Sequence, residues 1–349
     1  MTIVFFTHRF LPDIGGVEIA TARLAETLAV MGHRMIVVTE SPSEECALAG
    51  VTVLRMRVRA ARPFTRLLHW RWMWKHRTLF READALHFHD YGTFVHWFLP
   101  LKSVVRGPVY AMTFHGFDSW PVRKRDDRLR AFAASRMDVT FGCGRFIARH
   151  YRQRIDHFYV GAPVRLPMSR PGPITASFLY IGRVADDTGI LAFAECLAVA
   201  ATRAGHVPVL TIVGDGPLTG AVLQATGVTV TVRFHPPTTD VAPFLEETGY
   251  VVGTGFLALF DAFAFERPVL VPVLTTIKRD YFDSIDRIGE LVLLARDRDE
   301  LVSLLAGILE APVSDAVTAR VRNAKSYVDT LSWEGIARMY LEGYERHAA

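Results

Sequence analysis

The sequence predicts an α/β protein made of two doubly wound halves. Three observations carry that expectation. Apolar runs of about four to eight residues, the mark of strands buried on both faces, recur along the chain. Segments with helical spacing separate them, and such alternation implies parallel sheets with right-handed crossovers. Between the two series lies a proline- and glycine-rich stretch, YVGAPVRLPMSRPGPIT at 159–175, which reads as a domain linker. A length of 349 residues suits two domains, each with its own core.

In the first half the strand-like runs are 2–7, 34–39, 51–56, 84–89, 108–114 and 138–142. Helical spacing covers 17–32, 92–101 and 144–154. In the second half FLYIG (178–182), PVLTIVG (208–214), VTVTVRF (228–234), GYVVG (249–253) and RPVLVPV (267–273) read as strands. Helices are expected over 189–203, 240–248, 255–265 and 297–310, and the chain closes with SWEGIARMYLEGYERH, an amphipathic helix. Ligands of such sheets bind beyond the carboxyl ends of the strands.

Composition narrows the function. Cys46, Cys143 and Cys196 are scattered, with neither zinc nor disulfide spacing, which fits a reducing cytoplasm. His8 and Arg9 interrupt the first apolar run, unlike a signal peptide, and no apolar run approaches about 18 residues. Charge is divided unevenly. Residues 1–165 hold 25 Lys+Arg against 14 Asp+Glu, and the remainder holds 15 against 22. The basic half favours an anionic acceptor, a membrane surface or the opposite half. No nucleic-acid module accompanies the charge. No G-x-G-x-x-G follows either first strand, which argues against a dinucleotide enzyme. His87 and His89 share one strand face without further metal ligands. Asp126-Asp127 and Asp186-Asp187 are not an Asp-x-Asp motif.

The loops carry the rest. Between the first strand and helix stands Pro12-Asp13-Ile14-Gly15-Gly16-Val17-Glu18, a glycine pair before a helix N-terminus. It reads as a phosphate or substrate loop, or as a strand-to-helix turn that needs glycine. Gly32-His33 precedes the second strand, and His115-Gly116-Phe117-Asp118 follows PVYAMTF. The second half opens with Gly182-Arg183 and Thr188-Gly189, then Val213-Gly214-Asp215-Gly216-Pro217. Asp261-Ala262-Phe263-Ala264 leads to Arg267-Pro268-Val269, and Ser332-Trp333-Glu334 stands near the end. In order and spacing this series resembles the retaining GT-B glycosyltransferases of family 4, over nearly the whole chain.

The resemblance implies two Rossmann-like domains facing across a cleft. Residues 1–165 would form the acceptor side and 166–331 the nucleotide-sugar domain, with a helix over 332–349 crossing back to the first. It implies transfer of a sugar from a nucleotide diphosphate sugar to an acceptor hydroxyl, with no metal and no cofactor. The acceptor could be a small molecule, a glycan or a lipid-linked molecule. Gly15 and Gly16 would face the donor phosphates, and Gly214 would sit in a tight turn near the nucleotide. His115 would stand near the transferred sugar; read alone, it is equally a loop histidine with a structural hydrogen bond. Asp118 would touch acceptor or sugar hydroxyls, or cap the next helix. Arg183 would hold the leaving diphosphate, a role suited to a permanently charged, bidentate guanidinium.

Departures from the family pattern gather at the donor site. The usual Lys-Gly is Thr188-Gly189 here. Of two family glutamates, one is replaced by Asp261, expected to accept from ribose hydroxyls. The other falls on Gly253 or Thr254, depending on the alignment, where sugar hydroxyls would bind. Pro236 and Glu266 stand where glycines are usual. In the loop LTTIKRDYF, Lys278 or Arg279 would supply the missing charge, or else form a solvated pair balancing Asp280 and Asp283. Residues 55–81 mix arginine with tryptophan and phenylalanine without one clean helical stripe, and would meet an acceptor or a membrane surface peripherally. Two functions follow: a retaining glycosyltransferase with an atypical donor site, or a non-catalytic GT-B protein that binds a nucleotide or glycan and supports a partner enzyme.

Overall fold

Thirteen strands build two parallel sheets in the computed structural model, which describes residues 1–42, 48–57, 64–117, 119–168 and 172–348. The first sheet comprises β1 (Thr2–Thr7), β2 (Arg34–Thr39), β3 (Val51–Arg55), β4 (Ala85–His89), β5 (Val109–Phe114), β6 (Val139–Cys143) and β7 (His157–Tyr159). Its order is β3-β2-β1-β4-β5-β6-β7. The register pairs Phe5 with Val37 on one side and His87 on the other. The apolar run Ile3–Phe6 is fully buried, and Phe6 stacks on Phe88 at 4.6 Å. Strand order reverses between β1 and β4, so the crossovers leaving these strands diverge and open a crevice at their carboxyl ends.

The second sheet comprises β8 (Ser177–Ile181), β9 (Val209–Val213), β10 (Thr231–His235), β11 (Tyr250–Val252), β12 (Val269–Pro272) and β13 (Leu293–Ala295). Its order is β10-β9-β8-β11-β12-β13, with the reversal between β8 and β11. The helix Ile190–Ala204 packs against it through Phe193, Leu197 and Ala201.

The chain divides into one unit of Met1–Gly161 with Trp333–Ala349, and a second of Ala162–Ser332. Val164 and Arg165 thus belong to the second unit, where both backbone N–H groups bond to Asp261. The stretch expected as a linker over 159–175 includes the end of β7 at Tyr159.

The C-terminal helix, Trp333–Glu345, packs on the first sheet. A side chain at Gly343 would sit 2.8 Å from the Phe141 ring, so the helix lies tight against β6. Tyr344 Oη is 2.7 Å from His87 Nδ1, and His87 Nε2 is 2.7 Å from Thr113 Oγ1. Thr113 meets Tyr340 at 2.7 Å, and Tyr340 donates to Tyr159 at 3.1 Å. Burial holds His87 neutral, so the ring donates once and accepts once. The chain of donors therefore runs Tyr344 to His87 to Thr113 to Tyr340 to Tyr159.

Several elements lack a clear sequence signal. Helix α1 (Gly16–Val30) is as expected, but α2 (Thr65–Lys75) and the helix Lys124–Ala134 are not apparent from periodicity. The latter buries only Arg130, Ala133 and Ala134, too little for an apolar stripe. Strands β7 and β13 have three residues each and lie at sheet edges. The expected helix over 92–101 includes a π-helical segment, Phe94–Phe98, followed by a 3-10 turn.

Candidate functional site

Each sheet marks a site by its reversal point. In the second unit the loops after β8 and β11 carry Gly182-Arg183 and Gly253-Thr254-Gly255. The loop after β9 locks the first of these in place. Gly214 has φ +152°, and a Cβ there would meet Gly182 O at 1.9 Å. Val184 N donates to Asp215 O at 2.7 Å. Gly214 is therefore a packing glycine that lets two loops touch. Tyr180 Oη lies beneath, donating to Arg183 O at 2.5 Å within reach of the Thr188 and Thr254 hydroxyls. Arg183 itself is exposed and pairs with Asp187 at 2.7 Å.

Thr188 occupies the family's lysine position and turns its hydroxyl to Ala185 O at 2.7 Å. A lysine on another element stands near the same loops. Lys278, on the short helix Thr276–Phe282, donates from Nζ to Thr254 O at 2.9 Å. Burial pulls its ammonium down to about 8, with Asp187 opposing and Arg183 adding to the shift. Lys278 and Arg183 thus act on one another at the same mouth. Arg279, the next residue, is exposed to solvent.

Gly253 and Thr254 differ in direction. A side chain at Gly253 would strike Val269 and Val271 at 2.8 and 2.9 Å, so that position faces the core. Thr254 is the one at the mouth. Asp261 is 1% exposed and already engaged. It accepts from Val164 N at 2.6 Å, Arg165 N at 3.0 Å and the Arg165 guanidinium at 2.9 Å. These bonds make it an anchor for the segment entering the second unit rather than an open acceptor for ribose.

In the first unit, His115 follows β5 and His89 ends β4. Their rings meet at 2.8 Å, Nδ1 of His89 against Nε2 of His115. Burial lowers the pKa of both, so both are neutral at pH 7. Asp90, beside them, has φ +65°, a strained backbone for a non-glycine residue. Arg130 holds this loop: it is 1% exposed, donates to Gly116 O at 2.5 Å and stacks over Tyr151 at 4.1 Å. Gly15 is extended, at φ −168°, as the N-cap of α1. The Glu18 carboxylate folds back to where a Cβ on Gly15 would be, 2.3 Å away. The glycine lets this carboxylate fold over it, and α1 brings its own anion to its N-terminus. A side chain on Gly16 would meet nothing within 4 Å. Asp118 lies outside the described residues, as does Cys46.

The sequence profile of Glycosyltransferase Family 4 matches residues 14–159. This part of the chain is similar to Glycosyltransferase Family 4. Solved structures extend the likeness in fold to the whole chain. HepE of Anabaena, solved with UDP and glucose, has a TM-score of 0.77 at 14% identity, covering 99% of this chain and 100% of its own. A glycosyltransferase of Rickettsia africae gives 0.75 at 14% identity, covering 99% and 98%. Sucrose-phosphate synthase of Thermosynechococcus elongatus gives 0.73 at 16% identity, again covering 99% and 98%. No curated protein matches the sequence. The chain has the GT-B fold, and the residues similar to Family 4 lie within its first unit. Asp90 and Arg130 in the first unit, and Tyr180 in the second, hold loops at the reversal points of their own sheets, and sequence motifs did not single them out. Asp90 closes the run HFHD, and Tyr180 stands three residues before Arg183, which were the available signals.

Proposed function

We propose that this GT-B chain is a retaining glycosyltransferase that moves a sugar from a nucleotide diphosphate sugar to an acceptor hydroxyl. One observation carries the reading: Lys278 meets Thr254 at 2.9 Å beside Arg183, at the reversal point of the second sheet. Two cations face the mouth where Thr188 leaves the expected lysine out. A leaving diphosphate gains stabilisation from charges that are already in place. That HepE was solved with UDP and with UDP-glucose supports a uridine nucleotide as the first donor to try. His115, neutral and held by His89, is the group of the first unit that would contact the transferred sugar. The acceptor hydroxyl attacks from the face the diphosphate leaves: its oxygen bonds the anomeric carbon as the bond from that carbon to the phosphate oxygen breaks, and its proton passes to the departing phosphate oxygen. Arg183 and Lys278 carry the charge on the departing oxygens.

The experiment is calorimetry of UDP with the full chain. Lys278→Ala should weaken binding by about 1.5–3 kcal/mol, the worth of a charged hydrogen bond. Equal affinity of the two proteins would remove Lys278 from the site.

A second reading, a nucleotide-binding protein without turnover, is favoured by the engaged Asp261 and by the absence of a carboxylate at Gly253 and Thr254. Hydrolysis or transfer of a nucleotide sugar by the purified chain separates the two. Peripheral membrane contact belongs to the first reading and is carried by α2. Among the described residues no single helix is long and apolar enough to cross a membrane.

A further inference from the structure

The first unit contains a pocket of about 470 Å³ that the donor chemistry does not use. Its size suits a small-molecule site. His8 and Glu40 line it from the carboxyl ends of β1 and β2, and Arg66 and His69 from α2. Thr65, His96 and Trp97 complete it. The pocket thus opens on the same sheet edge as His115.

Its polar groups are incompletely used. The Glu40 carboxylate stands 2.6 Å from His69 Nε2 and 3.2 Å from His8 Nδ1. Burial would raise its pKa, but the two imidazoles overcome this and pull it to about 2, so the wall keeps an ionised acceptor. His69 is 4% exposed, and its Nδ1 has no hydrogen-bond partner among the described residues; nor has His96 Nδ1. Buried polar atoms left so are costly, and a hydroxylated ligand would satisfy them. Arg66 makes no ion pair among the described residues, and the sequence from 48 to 81 holds no Asp or Glu. The charge at the rim therefore suits an anion.

The rim is also apolar. Leu67, Trp70 and Trp74 are 60%, 36% and 50% exposed, at i, i+3 and i+7 on α2. They form one stripe beside Arg66. Trp70 Nε1 donates to His96 O at 3.0 Å, which ties the stripe to the pocket wall. A hydroxyl-binding pocket with a cation at its rim, continuing into exposed aromatic surface, matches a ligand with both kinds of surface.

We propose that this pocket receives the hydroxylated, anionic head of an amphiphilic acceptor, whose apolar chain lies along Leu67, Trp70 and Trp74. The acceptor role rests on the glycosyltransferase reading; the binding site does not.

The test is calorimetry on the full chain with dihexanoyl phosphatidylglycerol below its micelle concentration. Dihexanoyl phosphatidylcholine and glycerol 3-phosphate serve as controls. Phosphatidylglycerol should bind saturably, at least tenfold tighter than either control. Arg66→Gln should abolish the preference over phosphatidylcholine. Trp74→Ser should weaken phosphatidylglycerol and leave glycerol 3-phosphate unchanged. Equal binding of both lipids, unaffected by Arg66→Gln, would overturn the pocket as the site. Glycerol 3-phosphate binding as tightly as the lipid would overturn the amphiphile, and absence of binding by all three would overturn the whole proposal. A parallel UDP titration keeps the two readings apart. UDP binding without lipid binding sinks this inference alone, whereas lipid binding without UDP binding removes the acceptor role.

Discussion

Asp261 shows how a residue with a plausible ligand role is committed elsewhere. Its carboxylate is buried and holds three donors from Val164 and Arg165. Removing one partner of a buried pair leaves the other charge uncompensated. Asp261→Ala should therefore destabilise the second unit by about 3–5 kcal/mol, read as an earlier chemical-denaturation midpoint for that unit. A midpoint unchanged from wild type would show the anchor to be dispensable. Lys278 makes the opposite case, since its charge is poised to change. Burial lowers its pKa from 10.5 to about 8, so above pH 8 the free protein loses the proton that a diphosphate requires. UDP affinity should fall by up to about tenfold per pH unit above 8, with proton uptake on binding. Calorimetry at pH 8.5 in two buffers of different ionisation enthalpy measures that uptake, and it should vanish in Lys278→Ala. Both roles were only half legible in the sequence. The loop motif located Asp261 and Lys278, but which oxygen meets which donor depends on residues 97 positions away for Asp261 and 24 for Lys278.

At the scale of elements, α2 carries the most information that periodicity obscures. Its sequence, TRLLHWRWMWK, spreads apolar residues around the helix, and only exposure sorts them. His69 and Met73 turn inward, which leaves Leu67, Trp70 and Trp74 as one outer stripe flanked by Arg71 and Lys75. Such a face binds the boundary of an anionic bilayer through apolar burial and charge together. The chain should co-sediment with vesicles containing anionic lipid at low salt, less so with neutral vesicles, and Trp70→Ser with Trp74→Ser should release it. Equal sedimentation with both vesicle types would end the membrane reading. The three-residue strands β7 and β13 were invisible for a different reason. They are too short for a pattern and are defined by the neighbour they pair with.

Across the whole molecule the two units differ in how they carry histidine. In the first unit His87 and His89 are buried and His115 is half-buried, and desolvation lowers the pKa of all three. The second unit has two histidines, His206 and His235, and neither is buried. The folded first unit resists protonation of these rings, whereas the unfolded chain accepts protons near its ordinary value of about 6.5. Below that pH the unfolded state binds more protons, so stability falls as pH drops. Each ring can contribute at most about 2 kcal/mol of loss between pH 6.5 and 5. Hydrogen exchange followed peptide by peptide at pH 7 and pH 5 should show the first unit losing protection while the second keeps it. Equal loss in both units would assign acid sensitivity to other groups.

By itself the sequence determined the two α/β series, their strand order along the chain, the basic first half and the loops that end at each site. These follow from local pattern, because burial on both faces and helical spacing are written within a few residues. Only the tertiary structure decided that Lys278 rather than Thr188 brings a cation to the mouth, that Gly253 faces the core, and that Asp261 is an internal anchor. It also decided that Glu40, His69 and Arg66 share one pocket. These are contacts between elements far apart in sequence, and their geometry is set by how parallel sheets pack their crossovers rather than by any local signal.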